Sequence, residues 1–227
     1  MKNIDNIVLN IPHSSINNFN SKEWDNSKKI IEYFNQMTDW FTDKLFYPNP
    51  IFKNINPIIA DYSRFYIDCE RLENDPLEKI GQGIIYTKYN DVNRIISNEK
   101  IESLKLIYYE YINKLKSMIN DKTLLIDCHS FSNSLSNIDI CIGFNNDWSR
   151  PNDKIIETIM DVFNGFKIAI NEPYSNSISP ILSFNYQSVM IEVNKKLYMN
   201  EKTICLNSDS YKLHNLINKI YELILEN

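Results

Sequence analysis

Leu124-Leu125-Ile126-Asp127-Cys128-His129-Ser130 is a short apolar run that ends on ionisable residues. Its length and composition predict a buried β-strand. Strand alternation puts Asp127 and His129 on one side, with Cys128 on the other. Immediately upstream, Ile101, Leu104, Tyr108, Tyr111, Leu115 and Met118 recur at intervals of three and four, which predicts an amphipathic helix over 98–120. Downstream, strands are expected over 138–144, 166–170 and 188–193. A helix over 152–164 is ended by Gly165, and a last amphipathic helix covers 208–226. Near the start, Ile7-Val8-Leu9-Asn10-Ile11 reads as another buried strand, running into Pro12-His13-Ser14-Ser15. Strands alternating with helices specify an α/β fold: a mixed, largely parallel central sheet flanked by helices, in one domain over 1–227.

The remaining elements are less regular. Helical spacing covers 27–37, after which Thr38 is placed to cap a second helix with Asp39 in its first turn. Residues 64–68 and 83–87 read as strands flanking a polar loop. Glycine is scarce at four residues, so Gly81-Gln82-Gly83 marks a backbone demand such as a turn.

Composition bounds the function. The 227 residues carry a formal charge of −5, without the basic clusters of a nucleic-acid surface. No stretch approaches the roughly 18 apolar residues of a membrane span, and the N-terminus lacks a secretory pattern. A cytoplasmic protein with neither nucleic-acid nor membrane partners is expected. Cys69, Cys128, Cys141 and Cys205 are scattered, which suits reduced, mostly buried thiols.

Two of the three histidines, His13 and His129, stand at strand ends. With a carboxylate between them in sequence and a further glutamate downstream, they make up the parts of a zinc hydrolase site. Alone, His13 would be a hydrogen-bonded loop residue. Asp39 and Asp43 are one helical turn apart in that reading, and either one is eligible as third ligand. Asp127 is either a partner of His129 or a buried strand-end carboxylate. Glu192 sits within Val189-Met190-Ile191-Glu192-Val193, where a charge requires a partner or a task. That task is general base on an activated water; the other reading is an ion pair with one of four arginines. Arg64 and Arg71 suit an anionic substrate or an oxyanion, although Asp68, Glu70 and Glu73 are ordinary partners for them. A serine nucleophile has no Gly-x-Ser-x-Gly elbow here, and Cys128 points away from His129. His214, inside the last helix, is a packing or surface residue.

Taken in order, these stretches resemble the N-formylglutamate amidohydrolase family. The matching segments are Asn10-Ile11-Pro12-His13-Ser14, Thr38-Asp39-Trp40, Ser63-Arg64 through Ile67-Asp68 to Glu70-Arg71, and Gly81-Gln82-Gly83-Ile84-Ile85-Tyr86-Thr87. They continue through Leu125-Ile126-Asp127-Cys128-His129-Ser130, Asp139-Ile140-Cys141-Ile142-Gly143, Asn171-Glu172-Pro173-Tyr174 and Ile191-Glu192-Val193-Asn194. The resemblance implies a phosphorylase/hydrolase-like, zinc carboxypeptidase-like fold with one catalytic divalent metal, Zn²⁺. It implies His13, Asp39 and His129 as metal ligands, Glu192 acting on water, and hydrolysis of N-formyl-L-glutamate to formate and glutamate, a late step of histidine breakdown. It also implies a small acidic N-acyl amino acid as the substrate. Two departures stand out: Glu70 occupies a position that is commonly Asn in the family, and Ser175-Asn176-Ser177-Ile178-Ser179 replaces a glycine-rich turn. The rival expectations are a related zinc deacylase acting on another substrate, and a non-catalytic binding protein on the same fold.

Overall fold

The computed structural model describes residues 3–226. Its centre is a six-stranded sheet of β1 (Asn6–Ile11), β2 (Ile55–Ile59), β5 (Thr123–Phe131), β6 (Ile140–Gly143), β7 (Ile168–Ile170) and β8 (Gln187–Asn194). Two small hairpins lie outside it: β3 (Lys88–Tyr89) with β4 (Val92–Asn93), and β9 (Met199–Asn200) with β10 (Cys205–Leu206). The sheet order is β2-β1-β5-β8-β6-β7, and only the β6–β8 pairing is antiparallel. The mixed, largely parallel α/β sheet expected from the sequence is therefore present.

Both faces are covered. Leu124, Ile126 and Cys128 of β5, with Val189, Ile191 and Val193 of β8, pack against α2 (Thr42–Leu45), α4 (Asp153–Val162) and α5 (Ser210–Leu225). Val8 and Leu125 face the other way, onto Leu104, Tyr108, Ile112 and Leu115 of α3 (Asn98–Met118). The stripe read from the sequence is thus the buried face of α3, and parallel strands covered on both sides need not alternate in polarity. Toward the strand ends on the α3 side, apolar residues give way to Asn10, Asp127, His129 and Glu192, all buried. The site begins there.

Three local expectations are corrected. Residues 64–68 form a turn, with the amides of Tyr66 and Ile67 both donating to the carbonyl of Ser63. Residues 83–87 contribute only a single bridge between Gln82 and Tyr86. In both stretches the two-residue alternation buries aromatic rings. Phe65 and Tyr86 join Trp24, Phe34 and Tyr89 in a cluster against α1 (Ser27–Met37), so the period arises without a ladder. Thr38 closes α1 and does not open a second helix: its amide and its hydroxyl both donate to the carbonyl of Phe34. The edge strand β2 escaped the sequence reading because Pro57 interrupts it; pairing on one side only leaves room for that missing N–H. Gly81 has φ 85° and closes a 3-10 turn against Lys88, which explains the glycine demand.

Candidate active site

Two adjacent parallel strands set the site. β5 and β8 pair in a register that places His129 beside Glu192 and Asp127 beside Met190. His129 and Glu192 therefore emerge on the same face, at the strand ends, with Cys128 turned into the opposite core. β1 delivers His13 from the next strand over, two residues past its last paired residue.

Asp39 lies in the loop between α1 and α2, so it does not share a helical face with Asp43. Its amide donates to the carbonyl of His13 at 3.0 Å, and Thr42 closes onto its carbonyl. Phe41 in the same loop has φ 64°, a strained conformation for a bulky residue that the surrounding packing must hold. The outcome is an Asp39 Oδ2 that lies 3.0 Å from His129 Nδ1 and 3.7 Å from His13 Nδ1. Asp43 is not among the residues that could join a metal cluster. Burial raises the proton affinity of Asp39, but the imidazoles of His129 and then His13 outweigh it and hold the carboxyl below its ordinary range.

Behind these side chains lies a second tier of carboxylates. Asp68 accepts from His13 Nε2 at 2.7 Å, from Arg64 Nη2 at 3.1 Å and from the Tyr86 hydroxyl at 2.5 Å. Arg71 Nε is 3.6 Å from the same carboxylate. Burial pushes Asp68 up, yet His13, Arg64 and Arg71 together hold it well below the usual carboxylate range. Asp127 Oδ1 is 3.1 Å from His129 Nε2, and the carboxylate accepts from Asn10 Nδ2 at 2.7 Å and from the Ile178 amide at 3.0 Å. The Tyr111 hydroxyl then donates to Asn10 Oδ1, linking α3 to the site. Glu70 reaches both histidines, its two oxygens each 3.4 Å from an Nε2.

Among the described residues, five buried side-chain atoms make no well-aligned hydrogen bond, whatever charges lie near them: His13 Nδ1, Arg71 Nε, His129 Nε2, Ser130 Oγ and Glu192 Oε2. Buried polar groups are rarely left so, and all five sit around one site. Four of these residues, with Asp39, Arg64 and Glu70, line a cavity of about 450 Å³, and His13 is buried beside Asp39. His13, Asp39 and His129 can each offer one donor within 4.8 Å of the others; Glu70 forms similar groups with His13 and Asp68, and with Asp127 and His129. Two imidazoles and a carboxylate suit a catalytic divalent ion such as Zn²⁺, and the orphaned His13 nitrogen fits that use.

Glu192 does not pair with an arginine. Arg64 and Arg71 are engaged by Asp68, Arg94 by Glu23 and Arg150 by Asp153. Burial pushes Glu192 up to about 8; His129 opposes this, while Asp39, Glu70 and Asp127 add to it. His129 is displaced the same way, well above its ordinary value, because Glu70, Asp127 and Asp39 outweigh the cost of burying its charge.

Of the candidates read from the sequence, His13, Asp39, Arg64, Arg71, His129 and Glu192 converge here, whereas Asp43 does not. Sequence reasoning treated Asp68 and Glu70 only as ion-pair partners and overlooked Asn10 and Tyr111. A polar Asn inside the apolar run 7–11 was the available signal for the latter pair. His214 packs in α5, its Nδ1 near the carbonyl of Leu45, as expected. All four cysteines are free, and burial pushes the thiols of Cys69, Cys128 and Cys141 up, so none of these three is an activated nucleophile.

The fold has close counterparts among solved structures. An N-formylglutamate amidohydrolase from Ralstonia eutropha JMP134 superposes with a TM-score of 0.76 at 19% identity, over 99% of this chain and 94% of that one. The gene product Atu2144 from Agrobacterium tumefaciens superposes at 0.64 and 15% identity, over 97% and 92%. No curated protein matches the chain. The family model for N-formylglutamate amidohydrolase matches residues 5–199, and the chain therefore belongs to the N-formylglutamate amidohydrolase family.

Proposed function

We propose that the protein is a zinc-dependent amidohydrolase that cleaves the linear amide of N-formyl-L-glutamate or a similar N-acyl amino acid. The observation that carries this reading is the juxtaposition of His13, Asp39 and His129 with an unpaired Glu192 on the neighbouring strand. His13, Asp39 and His129 would hold the ion. Once bound, Zn²⁺ acts as a Lewis acid on the acyl group and makes water more acidic.

The chain's own groups do the rest. Glu192, buried and with Oε2 free of any hydrogen bond, takes a proton from the attacking water as the C–O bond forms. It then returns that proton to the leaving nitrogen as the C–N bond breaks, giving formate and the free amino acid. Arg64, fixed by Asp68 and Tyr86, faces the cavity where negative charge develops on the acyl oxygen. Arg71 lines the cavity and offers its guanidinium to an acceptor group of the amino acid. Asp68 and Asp127 orient His13 and His129 through their ring nitrogens, as carboxylates do at metal-ligating histidines.

Among the described residues no helix is long and apolar enough to cross a membrane. The test is formate release from N-formyl-L-glutamate by zinc-loaded protein, with chelation abolishing it and Zn²⁺ restoring it. Turnover that persists after complete metal removal would sink the metal-dependent reading.

A further inference from the structure

The catalytic cavity does not end at the arginines. A second chamber of about 420 Å³ adjoins it, and Glu70, Arg71, Ser175 and Met190 line both. The far side of that chamber is formed by Asn145, Trp148, Ser177 and Ser179. Pockets of roughly 300–1,000 Å³ hold drug-sized ligands. The first chamber alone is ample for a formylated amino acid, so the second is room for something longer.

Chemistry at the junction narrows what that is. Glu70 is partly open to solvent, and its carboxylate, when ionised, only accepts hydrogen bonds. Beside it, Arg71 lines both chambers, and its guanidinium only donates. An acceptor next to a donor matches a peptide group, which offers one N–H and one C=O. A free carboxylate matches the arginine but meets like charge at Glu70.

Building on the hydrolase function above, we propose that the substrate is an N-acyl peptide of two or more residues. The peptide bond after the acylated residue lies across Glu70 and Arg71, and the next residue occupies the second chamber. Water's oxygen joins the acyl carbon, the acyl C–N bond breaks, and the peptide leaves with a free amino group after taking a proton; the internal peptide bond stays intact.

The experiment compares N-formyl-L-glutamate with N-formyl-L-glutamyl-L-alanine on zinc-loaded protein. The dipeptide should show kcat/KM at least tenfold higher, with formate and intact glutamyl-alanine as products. Trp148→Ala, on the chamber's outer wall, should raise the dipeptide's KM at least threefold more than that of formylglutamate, with kcat little changed and the melting temperature as folding control. Equal or faster turnover of formylglutamate overturns the inference while leaving the hydrolase function standing. An unmoved KM ratio in Trp148→Ala also overturns it. Hydrolysis of neither substrate removes both readings.

Discussion

His129 and Glu192 are register partners on adjacent parallel strands, and no arginine pairs with the glutamate. An imidazole proposed as a metal ligand and a buried carboxylate are thereby fixed side by side by backbone hydrogen bonds, which hold geometry better than loops do. Glu192→Gln keeps shape but cannot take a proton. General acid–base groups contribute about 10²–10⁴-fold, so kcat should fall at least roughly a hundredfold while bound zinc stays near one per chain. Retained kcat in a folded, zinc-loaded variant would end the general-base assignment.

Metal content separates the overlapping donor groups. With His13, Asp39 and His129 as ligands, His129→Ala and Asp39→Asn should each lose most of the bound zinc. Glu70→Gln should keep most of it, because Glu70 faces the Nε2 atoms of both rings while Asp39 faces their Nδ1 atoms. Elemental analysis after dialysis against trace zinc reads this directly. Zinc lost from Glu70→Gln but kept by Asp39→Asn would move the ion to the other side of the histidine pair.

Arg71 offers a guanidinium fork at the cavity wall, and lysine cannot reproduce two parallel donors. Arg71→Lys should raise KM about tenfold and change kcat much less, since the group is assigned to binding. Arg64→Lys should do the reverse, lowering kcat with a smaller effect on KM. Steady-state kinetics of the two variants checks the division; a swapped pattern would exchange their roles.

The parts legible in the sequence were those where one period dominates. β5 is buried along its whole length and reads as a strand, and its alternation correctly put His129 opposite Cys128. The α3 stripe was equally plain. What stayed hidden depends on contacts distant in sequence. Asp68 looked like a partner for the nearby Arg64, and nothing local reveals that it also holds His13, 55 residues earlier. Asp39 looked helical because Thr38 can cap in either direction; tertiary contact with the His13 carbonyl decides the matter. The second chamber is invisible because its walls come from distant segments around residues 70, 148 and 176.

The last prediction follows from proton affinity at Glu192. In metal-free protein its folded value is about 8, against an ordinary 4.5. Between those values the folded state holds a proton that the unfolded chain has released, so this group's contribution to stability is complete below about 4.5 and is lost as pH rises through 8. A difference of roughly 3.5 pK units caps the effect at about 5 kcal/mol. The depressed Asp39 and Asp68 act in the opposite direction but at lower pH, as they are protonated below their ordinary 3.8. Glu192→Gln cannot ionise, so in chelator it should be more stable than wild type at pH 8, with the gap closing toward pH 5. Urea unfolding of both proteins at a series of pH values measures the gap. A constant gap across that range would mean that Glu192 is ionised in the folded protein throughout, and the basis for its readiness to hold water's proton would be gone.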